Sequence, residues 1–154
     1  MWGTSGTRRV LVSHEKRGGK VAHMLLTRKH TVKDKEEQKR ITDLGGAVVF
    51  GRLFGTLAVA RAFGDYEFKR EGKEYVSIAP YVCVQQLSRQ DDALIVACDG
   101  LWDKITYEEA ANEVAKHRKN GLTPQQAAEE LVKLAYEKGS QDNITAVVVY
   151  LYWS

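Results

Sequence analysis

The chain has 154 residues, and its 23 Lys and Arg against 20 Asp and Glu give a formal net charge of +3. This length fits one domain, and the charge is well short of that of a nucleic-acid-binding arm. No apolar run approaches the roughly 18 residues that span a bilayer, and Cys83 and Cys98 suggest no disulfide framework. We therefore expect no nucleic acid and no membrane as partners, and an intracellular location in the cytoplasm or the nucleus.

The first half of the chain is predicted to hold three strands and a loop. Residues 8–14 and 20–27 are apolar-rich and β-branched, and Gly18-Gly19 between them predicts a hairpin. Residues 47–50 are predicted to form a further strand. Residues 64–79 mix glycine, charged and aromatic residues without a clear period, which indicates a flap-like loop.

Three helices are predicted from their capping signals. Residues 34–44 form a highly charged segment with Asp34 as a plausible N-cap. Residues 106–119 open with a Thr-x-x-Glu capping box at Thr106, and residues 123–138 carry a proline at the first helical position. Apolar stripes on the last two predict that both pack against a sheet.

Three strands are predicted in the second half, at residues 81–87, 93–98 and 144–152. The last two are apolar on both faces, so we expect both to be central in a sheet and covered. Hairpins and helix pairs segregate along the chain instead of alternating. This order predicts an α+β fold with antiparallel sheet layers covered by helices.

Two aspartates lie at predicted strand ends. Asp99 follows strand 93–98 and is followed at once by Gly100, and Asp142 precedes Asn143 and strand 144–152. If the two strands are neighbours, both carboxylates can converge on one hard cation. Each local pattern taken alone favours a simpler alternative, a capping aspartate or an Asp-Asn turn.

Arg61 is the third candidate residue. It lies in a run of small residues, 55–65, that suggests close packing. It could bind phosphate, although a structural ion pair is the more common role of such an arginine.

Three segments together carry a family resemblance: LAVARAFGD at 57–65, LIVACDGLWD at 94–103 and GSQDNITAVVV at 139–149. With their order and spacing, the chain resembles the metal-dependent protein serine/threonine phosphatases of type 2C. The resemblance implies an α-β-β-α sandwich of two antiparallel sheets flanked by helix pairs. Residues 1–154 would be a single partial domain, the C-terminal part of this fold.

The resemblance also implies a site and a reaction. The family hydrolyses phosphoserine and phosphothreonine in phosphoproteins with water activated by a binuclear Mg²⁺ or Mn²⁺ centre. Asp99 and Asp142 match two carboxylate ligands of this centre, and Gly100 and Asn143 adjoin them. Residues 66–79 fall where the family carries a flap.

One expected part of the family pattern is absent from the sequence. The acidic D-G-H-G-G segment, which supplies the carboxylate that bridges both metals, does not occur in residues 1–154. We therefore expect this chain alone to be a weak or inactive enzyme. The alternative is a catalytically impaired relative that acts as a pseudophosphatase or partner-binding module. The apolar strands further predict a homo-oligomer or a complementing chain.

Overall fold

A computed structural model describes residues 8–14, 21–69 and 72–154. The chain forms two compact units, of which one runs from Arg28 to Val82 and the other combines the N-terminal strands with the chain from Cys83 onward. In chain order the elements are β1 (Arg8–His14), β2 (Val21–Leu25), α1 (Lys35–Asp43), β3 (Val48–Val49), β4 (Arg52–Leu53), a 3-10 helix (Tyr66–Phe68), β5 (Asp91–Ala97), α2 (Asp99–Trp102), α3 (Tyr107–Lys119), α4 (Pro124–Glu137) and β6 (Ala146–Tyr150).

The larger unit is built on a four-stranded antiparallel sheet in the order β2-β1-β5-β6. The predicted N-terminal hairpin is confirmed as the β1–β2 pair, with Val12 opposite His23; its turn at Gly18-Gly19 lies outside the described residues. β5 has β1 on one side and β6 on the other, so its predicted central position is also confirmed. With two antiparallel sheets and four α-helices in the described ranges, the α+β class is confirmed.

Two strand predictions are wrong. Residues 81–87 form no strand, and their side chains are exposed. Because β1 and β6 occupy the two edges of β5, no position beside β5 is left for a strand at residues 81–87. The strand predicted at 144–152 is shortened to β6, which lies at the edge of the described sheet and not at its centre. One of its faces is open, because Val147 and Val149 are 51% and 43% exposed.

The core of this unit lies between one face of the sheet and the helices α3 and α4. Val12, Ile95 and Val148 project from the sheet side, and Val114 and Leu131 from the helices, all within one buried cluster. Burying an aliphatic side chain of this size contributes about 1.5–3 kcal/mol. The core therefore fixes which face of β5 and β6 points toward the helices.

Capping interactions set where the two long helices begin. The Thr106 hydroxyl accepts from the backbone N–H of Glu109, as predicted. The reciprocal half of that capping box is not formed, since the Glu109 carboxylate instead accepts from Lys138 Nζ at 2.6 Å. α4 has the complete box, in which the Gln126 side chain accepts from the Thr123 N–H at 2.9 Å. The contact between Lys138 and Glu109 ties the end of α4 to the start of α3.

The smaller unit contains α1 and the short β3–β4 pair. The Asp34 side chain caps α1 by accepting from the N–H groups of Glu36 and Glu37, which confirms the predicted cap. The strand predicted at 47–50 is cut to two residues because Phe50 and Gly51 turn the chain at φ values of 51° and 70°. Two consecutive positive φ values are typical of a type I′ hairpin turn.

Buried apolar side chains from several parts of the smaller unit form its own core: Val32, Ile41, Leu53, Leu57 and Val76. The structure describes residues 64–69 and 72–79 of the predicted flap-like loop. In these residues the 3-10 helix is the one helix, and no β-strand is formed. Among the described residues, no helix combines the length and the apolar character needed to cross a membrane.

Candidate active site

Asp99 is held at the end of a rigid strand. β5 ends at Ala97, Cys98 occupies the N-cap position of the short helix α2, and Asp99 is the first residue of that helix. Alternate residues of β5 are buried against the helices, so the strand direction is fixed by packing. Within the described ranges the half-buried Asp99 carboxylate has no hydrogen-bond or ion-pair partner in the chain. Among the described residues, no group competes with a ligand for this carboxylate.

Asp142 lies at the same end of the sheet. β6 is antiparallel to β5 and Ala97 is paired with Ala146, so the end of β5 is adjacent to the start of β6. The exposed Asp142 side chain accepts from the backbone N–H of Asn143 at 2.7 Å through Oδ1. The two acids, 43 residues apart in sequence, thus follow and precede paired strand ends, as predicted. Their role as metal ligands stays a prediction.

The two segments that carry the aspartates touch at Gly100. A Cβ built on Gly100 would lie 2.3 Å from the Asn143 carbonyl oxygen and 3.5 Å from the Asp142 Cβ. A side chain at position 100 would therefore force the Asn143 backbone to shift, so the packing as it stands requires glycine. Gly100 and Asn143, predicted to adjoin the site, are therefore in direct contact with each other.

Trp102 supports the turn that follows Asp99. Its indole N–H donates to the Ala97 carbonyl at 2.9 Å, and its ring meets Tyr107 edge-on with 5.0 Å between centroids. The side chain is only partly buried beside the core. It therefore anchors both ends of the turn between β5 and α3.

The carboxylate oxygens of Asp99 and Asp142 are of the chemical type that a hard divalent cation binds. Carboxylate oxygens are the ligands that Mg²⁺ and related ions prefer. In the part of the chain that the structure describes, no group of three or more His, Cys, Asp or Glu side chains could hold a metal ion. Asp99 and Asp142 would therefore need further oxygen ligands, from water or from outside this group.

Arg61 is engaged in the smaller unit. Its Nε donates to Glu37 Oε1, and its Nη1 donates to the Ala79 carbonyl at 3.1 Å. This geometry supports the structural alternative for Arg61; the phosphate-binding role stays a prediction.

Glu37 is a buried carboxylate that sequence reasoning missed as an organising residue. It is 2% exposed and accepts from His30 Nδ1 at 2.8 Å, from Arg40 Nε at 3.1 Å and from Arg61. Burial by itself would raise the pKa of Glu37, but the hydrogen bonds from His30, Arg61 and Arg40 outweigh it and lower the pKa. Glu37 lies four residues before the buried Ile41, so both are on the same side of α1. This spacing was the signal in the sequence that Glu37 could be buried.

Arg40 extends this cluster to distant backbone. It donates to the carbonyls of Ala60 and Tyr75 at 3.0 Å each and to that of Glu74 at 2.8 Å. α1 is thereby tied to two segments that carry no helix or strand at these positions.

The Gly100 contact predicts that replacing this glycine with alanine destabilises the protein, the opposite of the usual effect within a helix. A glycine-to-alanine change inside a helix normally stabilises a protein by about 0.5–1 kcal/mol. We expect Gly100→Ala instead to lower the free energy of unfolding by about 1–3 kcal/mol, because the methyl group must push the Asn143 backbone away. Urea unfolding followed by circular dichroism measures the change, and equal or higher stability would contradict the contact.

The Glu37 cluster predicts an acid-dependent loss of stability. A carboxyl whose folded-state pKa is lowered contributes stability above its unfolded value, about 4.3, and loses it as pH falls through the folded value. We expect the difference in unfolding free energy between the unsubstituted chain and Glu37→Gln to shrink as pH falls from about 7 to about 3. Urea unfolding across this range tests it, and a pH-independent difference would refute it.

Comparison with known proteins places these features in a family. Residues 3–144 match the family model described as Protein phosphatase 2C. The chain is 46% identical over 131 residues to Protein spalten of Dictyostelium discoideum, covering 85% of this chain and 13% of that protein. It is 41% identical over 123 residues to Protein phosphatase 2C homolog 1 of Schizosaccharomyces pombe, covering 79% of this chain and 33% of that protein.

Solved structures agree. The crystal structure of serine-threonine phosphatase 2C from Toxoplasma gondii is similar with a TM-score of 0.73 and 27% identity, covering 94% of this chain and 51% of that chain. A phosphatase from a pathogenic strain of the same organism is similar with a TM-score of 0.75 and 26% identity, covering 96% of this chain and 48% of that chain. The chain spans about half of each solved chain and a third or less of the two curated relatives. Since the family model covers residues 3–144, the chain belongs to the protein phosphatase 2C family.

Proposed function

We propose that this chain takes part in the metal-dependent hydrolysis of phosphoserine and phosphothreonine in phosphoproteins, with Asp99 and Asp142 as ligands of a Mg²⁺ or Mn²⁺ centre. Membership of a protein phosphatase family supports the reaction class. The observation that carries the assignment of residues is the pairing of Ala97 with Ala146, which brings both aspartates to one end of the sheet.

The chain's own residues would bind and orient the ion. Asp99 offers a carboxylate without an internal partner in the described ranges. Asp142 uses Oδ1 to accept from the Asn143 N–H, which orients the carboxylate, and its Oδ2 has no hydrogen-bond partner among the described residues. When bound, a divalent ion supplies the positive charge that activates water and neutralises phosphoryl oxygens.

The proposal assigns the chain a contribution to the site. Two carboxylates are fewer than the oxygen ligands such ions take, so we expect weak metal affinity and weak or undetectable hydrolysis by this chain alone. The comparisons give no support to the alternative of a pseudophosphatase or partner-binding module.

Paramagnetic NMR tests the metal ligands without requiring activity. Substoichiometric Mn²⁺ should broaden amide resonances around Asp99 and Asp142 first, because paramagnetic broadening falls steeply with distance. Asp99→Asn and Asp142→Asn should each remove this selective broadening. Asp43→Asn removes an equal charge from an exposed position on α1 and should leave it unchanged. Broadening centred elsewhere, or unaltered in both Asn variants, would contradict the proposal.

Hydrolysis of p-nitrophenyl phosphate and of a phosphothreonine peptide in excess Mn²⁺ provides the second measurement. We expect little or no turnover by the unsubstituted chain. A robust Mn²⁺-dependent rate that Asp99→Asn abolishes would support the ligand assignment and would show the expectation of weak activity to be wrong.

The open face of the larger sheet supports a proposal about association. Register pairing puts Met24, Leu94 and Val149 in one row on the face away from α3 and α4, with Val96 and Val147 beside them. Met24, Val147 and Val149 are all more than 40% exposed. Exposed apolar patches of this kind mark association surfaces. We propose that a second copy of this chain covers the face.

Light scattering behind a sizing column, over a dilution series, tests this association. We expect a dimer or larger species that dissociates on dilution, because apolar burial drives its formation. Val147→Lys combined with Val149→Lys should shift the chain toward monomer, whereas Val132→Lys, a change of the same kind at a half-buried position on α4, should not. A monomer at every concentration would contradict the proposal.

A further inference from the structure

The Cys98 side chain joins the segment that carries Asp99 to the segment that carries Asp142. Its thiol donates to the Asn143 carbonyl at 3.1 Å and accepts from the Thr145 N–H at 3.2 Å. The Cys98 backbone N–H also donates to the Thr145 carbonyl at 3.1 Å. Three hydrogen bonds therefore link this single residue to two of the three residues that follow Asp142, namely Asn143 and Thr145.

Ser140 makes a second link on the other side of Asp142. It is 8% exposed, and its hydroxyl donates to the Gly100 carbonyl at 2.7 Å. Each aspartate is thus bracketed: Asp99 lies between Cys98 and Gly100, and Asp142 lies between Ser140 and Asn143. The contact of Gly100 with the Asn143 carbonyl closes the arrangement.

We propose that the Cys98 thiol and the Ser140 hydroxyl are positioning residues, which hold the Asp99 and Asp142 carboxylates at the separation that a shared cation requires. This inference rests on the proposed function. Neither residue acts as a ligand in it; each acts through the backbone on which an aspartate is mounted.

The surroundings of Asp142 explain why side-chain links are needed. Residues 141–143 are exposed and belong to no helix or strand, and the ladder between β5 and β6 begins only at Ala146. A loop without ladder hydrogen bonds samples several conformations unless other bonds hold it. A metal site gains affinity when its ligands are fixed before binding, and partners behind the ligands typically change affinity by about 10–100-fold.

The thiol fits this role chemically because it serves as donor and acceptor at once. Its proton goes to the Asn143 carbonyl, and a sulfur lone pair receives the Thr145 N–H. A hydroxyl at the same position can do both, whereas a methyl group can do neither. Cys98→Ser therefore keeps both hydrogen bonds, and Cys98→Ala removes them. Comparing the two variants distinguishes the effect of the hydrogen bonds from that of the lost sulfur atom.

The test compares Cys98→Ala, Cys98→Ser and Ser140→Ala in the whole chain, with Cys83→Ala as the matched control because Cys83 is an exposed free cysteine. The first readout is the Mn²⁺ dissociation constant from NMR broadening. We expect it to rise about tenfold in Cys98→Ala and Ser140→Ala, to be largely restored in Cys98→Ser, and to be unchanged in Cys83→Ala.

The second readout needs no metal. Hydrogen exchange of the Thr145 amide should be several-fold faster in Cys98→Ala than in the unsubstituted chain, and close to its original rate in Cys98→Ser. Thermal unfolding of each variant identifies any general loss of the fold, which would accelerate exchange throughout β5 and β6 and not only at Thr145.

The outcomes separate this inference from the proposed function. If Asp99→Asn and Asp142→Asn leave Mn²⁺ binding unchanged, or the chain binds none, the proposed metal site is wrong. If those variants lose Mn²⁺ while Cys98→Ala and Ser140→Ala bind it like the unsubstituted chain, only the positioning role is overturned. Unchanged Thr145 exchange in Cys98→Ala overturns the thiol link whatever happens to the metal.

Discussion

The antiparallel register of β5 and β6 is the constraint on which the candidate site depends. Ala97 pairs with Ala146, and this pairing alone determines that Asp99 and Asp142 lie at one end of the sheet. The register is protected by the core, since a slip of one residue would turn Val148 and Tyr150 out of the cluster under α3 and α4 and bring Val147 and Val149 in. The packing that stabilises the larger unit therefore also determines where its two candidate ligands lie.

The smaller unit depends on a different interaction, the pairing of the buried Glu37 carboxylate with nitrogen donors. Leaving a buried carboxylate unpaired is strongly unfavourable, and Glu37 avoids this with three nitrogen donors from His30, Arg40 and Arg61. Because Arg40 and Arg61 also donate to backbone carbonyls, the same charge orders segments that have few ladder hydrogen bonds. Arg61 thus acquires a structural explanation that requires no ligand.

Features encoded locally could be predicted from sequence, whereas features that need a partner could not. Thr123 and Asp34 cap their helices through neighbouring residues, and both caps are found. The alternation of Val82 and Val84 is typical of a strand, yet both are exposed, because a strand forms only where a sheet edge accepts it. Both strand ends at the candidate site were predictable, since an apolar run and an adjoining acid mark each. The hydrogen bonds from Cys98 to Asn143 and Thr145 join residues far apart in sequence, so no local pattern announces them.

The residues between these elements show how the two loops can approach so closely. A cation shared by two carboxylates requires their backbones to pass near each other, and bulky side chains beside the acids would prevent this. Cys98 and Gly100 flank Asp99, and Ser140 lies two residues before Asp142; these three small residues make the contacts between the segments, whereas Gln141 and Asn143, which flank Asp142, are exposed. Gly100 permits the contact with Asn143 by lacking a side chain, while Cys98 and Ser140 use short polar side chains to bond across the gap. Glycine supplies the space and the two polar residues supply the attachment, so the geometry of the acids depends on neighbours that carry no charge.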